Sequence, residues 1–272
     1  MDLSPAASGR VGRWVEVATA NGRDAGPWQL HTEVLLDLLG WDGCSRATAT
    51  GEHDDGRAIV VPGARKNDVL LLGIGPERVA EVDLHHAAVE VIARPSLVDP
   101  STCEVRFGPD AVRRTWGLDV GHAHATAAVV MAADAAGAAQ AALDAALDHV
   151  RAREQYNAPL ATLQAVQHRA ADMAIDVRLA TDAVLDAAGV IDRGEPDELV
   201  LLAAAHAKLG VARSQRVTAS AHQLAGGQGI LESSPFHRWH RRTAAAGVLL
   251  GDQRHHRAVV GRAALAGHTR FG

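Results

Sequence analysis

The stretch PLATLQAVQHRAADMAIDVRLATDAV, residues 159–184, decides the fold. Its apolar residues Leu163, Val166, Ala170, Met173, Val177, Ala180 and Val184 fall at alternating steps of three and four, which aligns them along one face of a long helix. Such a seam needs partner helices, and the alanines around it let helix backbones approach closely. The core of a helical bundle is the first expectation.

Working outward, Glu195-Pro196 opens a second helix, because proline suits a first helical turn. Its stripe is Val200, Ala203, Ala207, Gly210, Ser214, Val217 and Ala221, and Gly226-Gly227 ends it. An earlier helix covers roughly Val120 to Arg153. A last one, flanked by Gly251 and Gly267, carries Val259, Val260 and Leu265. Between Arg57 and Val91 the pattern changes to short apolar runs, Ala58–Val61, Val69–Leu72 and Val79–Leu84, separated by Pro62-Gly63 and Gly73-Ile74-Gly75-Pro76. These read as strands and turns. The predicted class is α+β, mainly α: an N-terminal segment over 1–56 with one amphipathic stretch from His31 to Leu39, a partial β-domain over 57–115, and a four-helix bundle over 116–272.

The chain has 272 residues, 47% of them hydrophobic, which is enough for a substantial core. Its 27 Lys+Arg against 32 Asp+Glu give a net charge of −5, so there is no bulk attraction for nucleic acid or anionic membrane, although local basic clusters remain open. Cys44 and Cys103 show no CxxC spacing, and MDLSPAASGR holds no apolar signal region; a cytoplasmic location is the expectation. The alanine-rich segments are interrupted by Asp, His and Arg, so no stretch is expected to approach the roughly 20 apolar residues of a membrane span. Among 15 histidines, the pairs His122/His124, His237/His240 and His255/His256 lack the spacing of a zinc signature, and no metal is expected. The basic stretch Arg238-Trp239-His240-Arg241-Arg242 is read as an exposed helix face.

Several ordered elements carry a resemblance. Arg153-Glu154-Gln155-Tyr156-Asn157-Ala158-Pro159-Leu160, then Gln164-Ala165-Val166-Gln167-His168 and Ala171-Asp172-Met173-Ala174, resemble the R-x-Q-F-G, P-L/I, Q-x-x-x-H and A-D-M series of the acyl-CoA dehydrogenase family. His222-Gln223-Leu224-Ala225-Gly226-Gly227-Gln228-Gly229 is similar to that family's Q-x-x-G-G-x-G turn. Leu250-Gly251-Asp252-Gln253-Arg254-His255-His256-Arg257 is similar to the ending of some actinobacterial members. Val61-Pro62-Gly63-Ala64, Asp68-Val69-Leu70 and Arg94-Pro95-Ser96-Leu97 resemble the later part of its β-domain. Relative to full-length members, the resemblance implies a shortened subunit of the actinobacterial heteromeric type.

The family reaction pairs removal of an α-proton by a glutamate with hydride transfer to flavin. The resemblance places the two known base positions on Gly121, within Leu118-Asp119-Val120-Gly121-His122, and on Gly251, counted from Arg242. Neither side chain can accept a proton, and Asp252, one position away, is the nearest substitute, with Glu232 and Asp119 behind it. Read without the resemblance, Asp252 is a solvated or helix-capping residue. Cofactor contacts implied by the resemblance are Arg153, Gln155, Tyr156, Gln223, Gly226 and Gly227, which in relatives reach the adenosine diphosphate half of a neighbour's FAD. Read alone, they are a surface arginine, a core tyrosine and a helix C-cap. The resemblance thus implies FAD shared with a full-length acyl-CoA dehydrogenase partner in a hetero-oligomer, with a homo-oligomer as the alternative. The expected substrate is an acyl-CoA, with a steroid or other bulky side chain. The rival expectations are a self-sufficient diverged enzyme and a purely structural subunit.

Overall fold

The computed structural model describes residues 10–25, 30–38, 47–50, 53–54, 56–74, 77–96 and 100–267. The chain forms two compact units, Pro27–Ala127 and Met1–Gly26 with Ala128–Gly272. Cys44 and the Gly75-Pro76 half of one expected turn lie outside the described residues.

Among the described residues, the unit Pro27–Ala127 contains the helix Leu30–Leu38, over the expected amphipathic stretch except Leu39, which lies outside them, and eight strands. In chain order these are β1 (Ala47–Thr50), β2 (His53–Asp54), β3 (Arg57–Val61), β4 (Val69–Gly73), β5 (Arg78–Asp83), β6 (Val89–Ala93), β7 (Cys103–Phe107) and β8 (Val112–Gly117). One sheet has the order β1-β4-β5-β8 and the other β2-β3-β7-β6, and among the described strands only the β1–β4 pair is parallel. Leu70 and Leu72 of β4 pair with Val82 and Ala80 of β5. They share a core with Ala58 and Val61 of β3 and Cys103 and Val105 of β7. The two sheets therefore close on one apolar layer, the usual way for a sheet to bury one face. Strands extend beyond residues 57–115 on both sides, at β1 and through the end of β8.

The second unit contains α1 (Arg10–Arg23), the body of α3 (Val120–Ala152), α4 (Gln164–Asp192), α5 (Asp197–Ala225), α6 (Phe236–Ala246) and α7 (Gln253–Leu265), where α2 denotes the helix Leu30–Leu38. Met173, Val177, Ala180 and Val184 of the deciding stretch are buried, as its seam requires. α4 and α5 run antiparallel: Gly210 faces Ala180, where a Cβ would lie 3.4 Å from the Ala180 Cα, and Arg213 and Arg216 both reach Asp176. Ala142 and Ala146 of α3, Met173 of α4, Ala221 and Ala225 of α5, and Phe236 and Trp239 of α6 form one core cluster. α3 and α5 consequently end at the same end of the bundle. α3 is long and apolar enough to cross a bilayer, a correction to the expectation that no stretch would approach this; 89% of its apolar window is buried inside the protein. Its apolarity comes from alanines spent on close helix packing, which Asp134 interrupts only where it meets a buried partner.

α1 has no counterpart in the sequence reading. Its capping groups explain why: the Val11 and Gly12 amides donate to the two oxygens of Asp192, both at 2.9 Å, so the helix start is completed from the end of α4. At its other end the Trp239 indole donates to the Arg23 carbonyl at 3.0 Å. Between these points α1 crosses α3 backbone to backbone. A Cβ on Gly22 would stand 1.9 Å from the Asp134 carbonyl oxygen, and one on Gly137 would stand 2.0 Å from that of Thr19. Asn21 donates to Asp134 at 2.8 Å, and Asp134 forms a two-point pair with Arg242 at 2.5 and 2.8 Å. The expected exposed face over Arg238–Arg242 is corrected here: Trp239 is buried by its cap of α1 and Arg242 by its carboxylate. We expect Gly22→Val to lower unfolding free energy by about 3 kcal/mol or more, since its branches meet immovable backbone. A denaturation midpoint unchanged from the parent would contradict this packing.

Candidate cofactor-contact site

At the end of the bundle shared by α3 and α5, α3 gives way to a hairpin of β9 (Glu154–Gln155) and β10 (Ala158–Pro159). Its two-residue loop is Tyr156 and Asn157, with φ of 55° and 61°. A left-handed pair is what a tight hairpin demands, and asparagine tolerates it, but a tyrosine there is strained. Tyr156 is 88% exposed, so the reading of a core tyrosine is corrected, and no described contact offsets its conformation. The Leu160 amide donates to the Arg153 carbonyl at 2.8 Å and closes the hairpin. The Arg153 guanidinium is exposed and has no partner among the described residues, whereas nearby Arg151 pairs with Asp148 at 3.3 Å.

α5 ends beside this hairpin's end of the bundle. Gly226 adopts φ 56° and ψ −135°, a conformation restricted to glycine, and its amide bonds the Gln223 and His222 carbonyls. Gly227 is different: its φ is ordinary, and a Cβ there would meet nothing within 4 Å. Neither strain nor packing within the chain requires a glycine at 227. Gln223, Gly226 and Gly227 are exposed, followed by Ile230 at 82% and Leu231 at 54% exposure. The structure thus brings Arg153, Gln155, Tyr156, Gln223, Gly226 and Gly227 to one open end of the bundle. An unpaired guanidinium, a flat exposed ring and a turn without side chains fit a nucleotide diphosphate brought by another body. Behind the turn, the His222 ring lies 5.3 Å from His240 and 6.0 Å from Phe236. Burial and the neighbouring His222 push the His240 pKa down.

The two base positions are built differently. Gly121 occupies the first turn of α3, where the Asp119 carboxylate accepts from the His122 amide at 2.8 Å. Gly251 lies in the loop before α7 with φ 93°, following Leu250 with φ 55°. A Cβ at 251 would meet His256 Nε2 at 2.6 Å and His255 Cδ2 at 2.9 Å. Asp252 caps α7: it accepts from the His255 amide at 2.8 Å, and this bond lowers its pKa. A proton-abstracting carboxylate needs the opposite shift, so the geometry supports the capping role. Glu232 is exposed in the loop after α5.

One residue here escaped sequence reading. Lys208, 3% exposed within α5, donates from Nζ to the Ala246 and Leu249 carbonyls, the latter at 2.6 Å, while His256 Nε2 donates to the Leu250 carbonyl at 3.1 Å. Together they tie down the loop that carries Gly251. Nothing in the α5 stripe distinguishes Lys208 from a solvated lysine, because its acceptors lie some forty positions downstream.

The arrangement defines a class: a two-sheet unit joined to an alanine-packed bundle of acyl-CoA dehydrogenase type. Residues 122–265 match the family described as acyl-CoA dehydrogenase, C-terminal domain, and the chain belongs to the acyl-CoA dehydrogenase family. Members of that family are FAD-dependent flavoproteins. The chain is 38% identical over 133 residues to the probable acyl-CoA dehydrogenase FadE25 of Mycobacterium tuberculosis, covering 49% of this chain and 34% of that protein. It is 30% identical over 223 residues to the probable acyl-CoA dehydrogenase YngJ of Bacillus subtilis, covering 78% and 54%. It therefore spans between about a third and about half of the length of these curated relatives. Among solved structures, the Tcur3481-Tcur3483 steroid acyl-CoA dehydrogenase variant superposes with a TM-score of 0.81 at 21% identity, covering 94% of this chain and 81% of that one. The ChsE4-ChsE5 complex from Mycobacterium tuberculosis gives 0.77 at 20%, covering 94% and 80%. At these identities the likeness is one of fold.

Burial, with Lys208 beside it, lowers the His256 pKa to about 4. The unfolded chain takes up this proton near the ordinary value of about 6.5. The stability associated with neutral His256 is thus present above that pH and is lost as pH falls from there towards 4, by about 1–3 kcal/mol after allowance for partial solvation. In thermal unfolding, His256→Asn should flatten the decline in Tm between those pH values. Superimposable pH profiles for the parent and the variant would refute it.

Proposed function

We propose that this chain is a subunit of a heteromeric FAD-dependent acyl-CoA dehydrogenase, contributing interface and cofactor contacts while an unlike subunit supplies the catalytic glutamate. The observation that carries the reading is a contrast between two sites. Position 251 holds a left-handed glycine whose side-chain space is filled by two imidazoles, so no carboxylate is poised there. The bundle end, by contrast, keeps an exposed Arg153 with no partner among the described residues, an exposed and strained Tyr156 and an open Gly227. Two similar structures are described as two-component assemblies, one of them a steroid enzyme, which supports an unlike partner and a bulky acyl-CoA substrate. When bound, the flavin supplies the hydride acceptor for α,β-desaturation. This chain's residues would hold its diphosphate end: Arg153 would pair with phosphate oxygens, Gln223 would donate an amide hydrogen, Tyr156 would offer a flat ring to the adenosine, and Gly226-Gly227 would admit close backbone approach.

An arginine on a diphosphate contributes about 1.5–3 kcal/mol. Arg153→Ala should therefore lower FAD retention by the co-expressed complex roughly tenfold to a hundredfold, by the usual conversion of about 1.4 kcal/mol per tenfold. Arg151→Ala, which removes only a pair with Asp148, should retain flavin like the parent. Flavin per complex after gel filtration measures this, and equal retention by all three would remove the cofactor assignment and favour a structural subunit. The chain purified without a partner should neither carry flavin absorbance nor turn over any acyl-CoA with an artificial acceptor. Turnover by the isolated chain would establish the self-sufficient enzyme instead.

A further inference from the structure

Among the described residues, α4 is packed on two sides and open on a third. Asp176 receives Arg213 and Arg216 of α5, and Asp192 receives the first amides of α1. At about 100° per residue, these two aspartates stand roughly 100° to either side of Ile175. The buried seam of Met173, Val177, Ala180 and Val184 lies opposite. Ile175 therefore occupies the middle of the open arc, 57% exposed, with Leu179 one turn later at 43% and Ala171, also exposed, one turn earlier. A single exposed aliphatic side chain needs no explanation, but an apolar row centred on a helix face is the pattern of a further helix contact.

The row continues into polar residues whose character differs at its two ends. Towards the helix start it meets His168 and Gln164, which carry hydrogen-bond donors, and towards the helix end Asp182 and Asp186, whose carboxylates only accept. Asp182 is held by Arg178 at 2.8 Å, whereas His168, Gln164 and Asp186 are exposed and have no partner among the described residues. A second α4 laid antiparallel across a twofold axis at Ile175 sets each residue against the one equally far on the other side of 175. Ile175 then meets its own copy, Leu179 meets Ala171, Asp182 meets His168 and Asp186 meets Gln164. Large stands against small and acceptor against donor, and each of these pairings occurs twice. A parallel pair in register would instead set carboxylate against carboxylate at both aspartates. An isologous interface has to be self-complementary in this manner, residue i to j and j to i.

We propose that this face of α4 docks a second copy of this chain in an antiparallel twofold dimer centred on Ile175. The face shares no residue with the cofactor end of the bundle, and its test reads self-association rather than flavin, so it and the function proposed above can fail separately. The full chain would be followed by sedimentation velocity over a range of concentrations. A reversible monomer–dimer equilibrium with Kd of about 10 µM or tighter is expected, weakened at least about tenfold by Ile175→Asp. Val248→Asp, at an equally exposed aliphatic position after α6, should leave it unchanged. His168→Glu sets a second carboxylate against Asp182 and should weaken the dimer to a similar degree, and the double variant His168→Glu/Asp182→Lys should restore it. Within one chain these two positions lie roughly 21 Å apart along the helix, so restoration can arise only between chains. Both are on the surface, so this charge reversal decides the matter if Ile175→Asp fails to fold. A chain that stays monomeric at about ten times that Kd leaves the face to an unlike protein and overturns the proposal. A dimer indifferent to Ile175→Asp, or a charge reversal without restoration, overturns it equally.

Discussion

The bundle depends on the Asp134–Arg242 pair. Taking both charges out of water is costly, and it is tolerated because two parallel hydrogen bonds and a third from Asn21 satisfy the carboxylate. Removing either partner would strand a buried charge, at about 3–5 kcal/mol. The pair also sits where the Gly22 backbone presses on the Asp134 carbonyl, so α1, α3 and α6 are fixed at one point. From there the geometry passes to the open end of the bundle. Trp239, one turn before Arg242, caps α1 and joins the cluster that contains Ala225, next to the Gly226 turn.

What the sequence made legible was what is encoded locally. The seam from Val166 to Val184 is a property of the single helix α4, whereas Leu163, expected to begin it, is the exposed residue before the helix, and β4 reads as a strand from the apolar run Val69–Leu72. The helix α1 and the role of Lys208 were illegible for one shared reason: their hydrogen-bond partners lie far along the chain. Asp192 caps a helix by accepting from the Val11 amide, 181 residues earlier. β7 was missed because Cys103-Glu104-Val105-Arg106 alternates charge with apolar residues, and its buried glutamate hides under arginines from two other segments.

The same distinction separates the candidate site's parts. The resemblance supplied Arg153, Gln155, Tyr156, Gln223, Gly226 and Gly227 as a set, yet periodicity alone would have left Tyr156 in the core. That the first and third long helices end together follows from antiparallel packing, which the short connection between α4 and α5 already implied. The left-handed conformation of Tyr156 had no signal of its own, since only the asparagine after it favours such a turn.

Glycines at three positions carry different physical meanings. Gly226 is required by its backbone angles, and Gly251 both by its angles and by the two histidines against it. A glutamate at 251 would therefore demand a new loop, including release of the carbonyls held by Lys208 and His256. Gly227 is required by neither. A tyrosine held at positive φ costs about 1–3 kcal/mol, and beside it stand a guanidinium with no partner among the described residues and a glycine that no described neighbour requires. Strain and vacancy at one end, and tight closure at the other, are what a subunit that receives a ligand from outside and performs no proton transfer itself would have to combine.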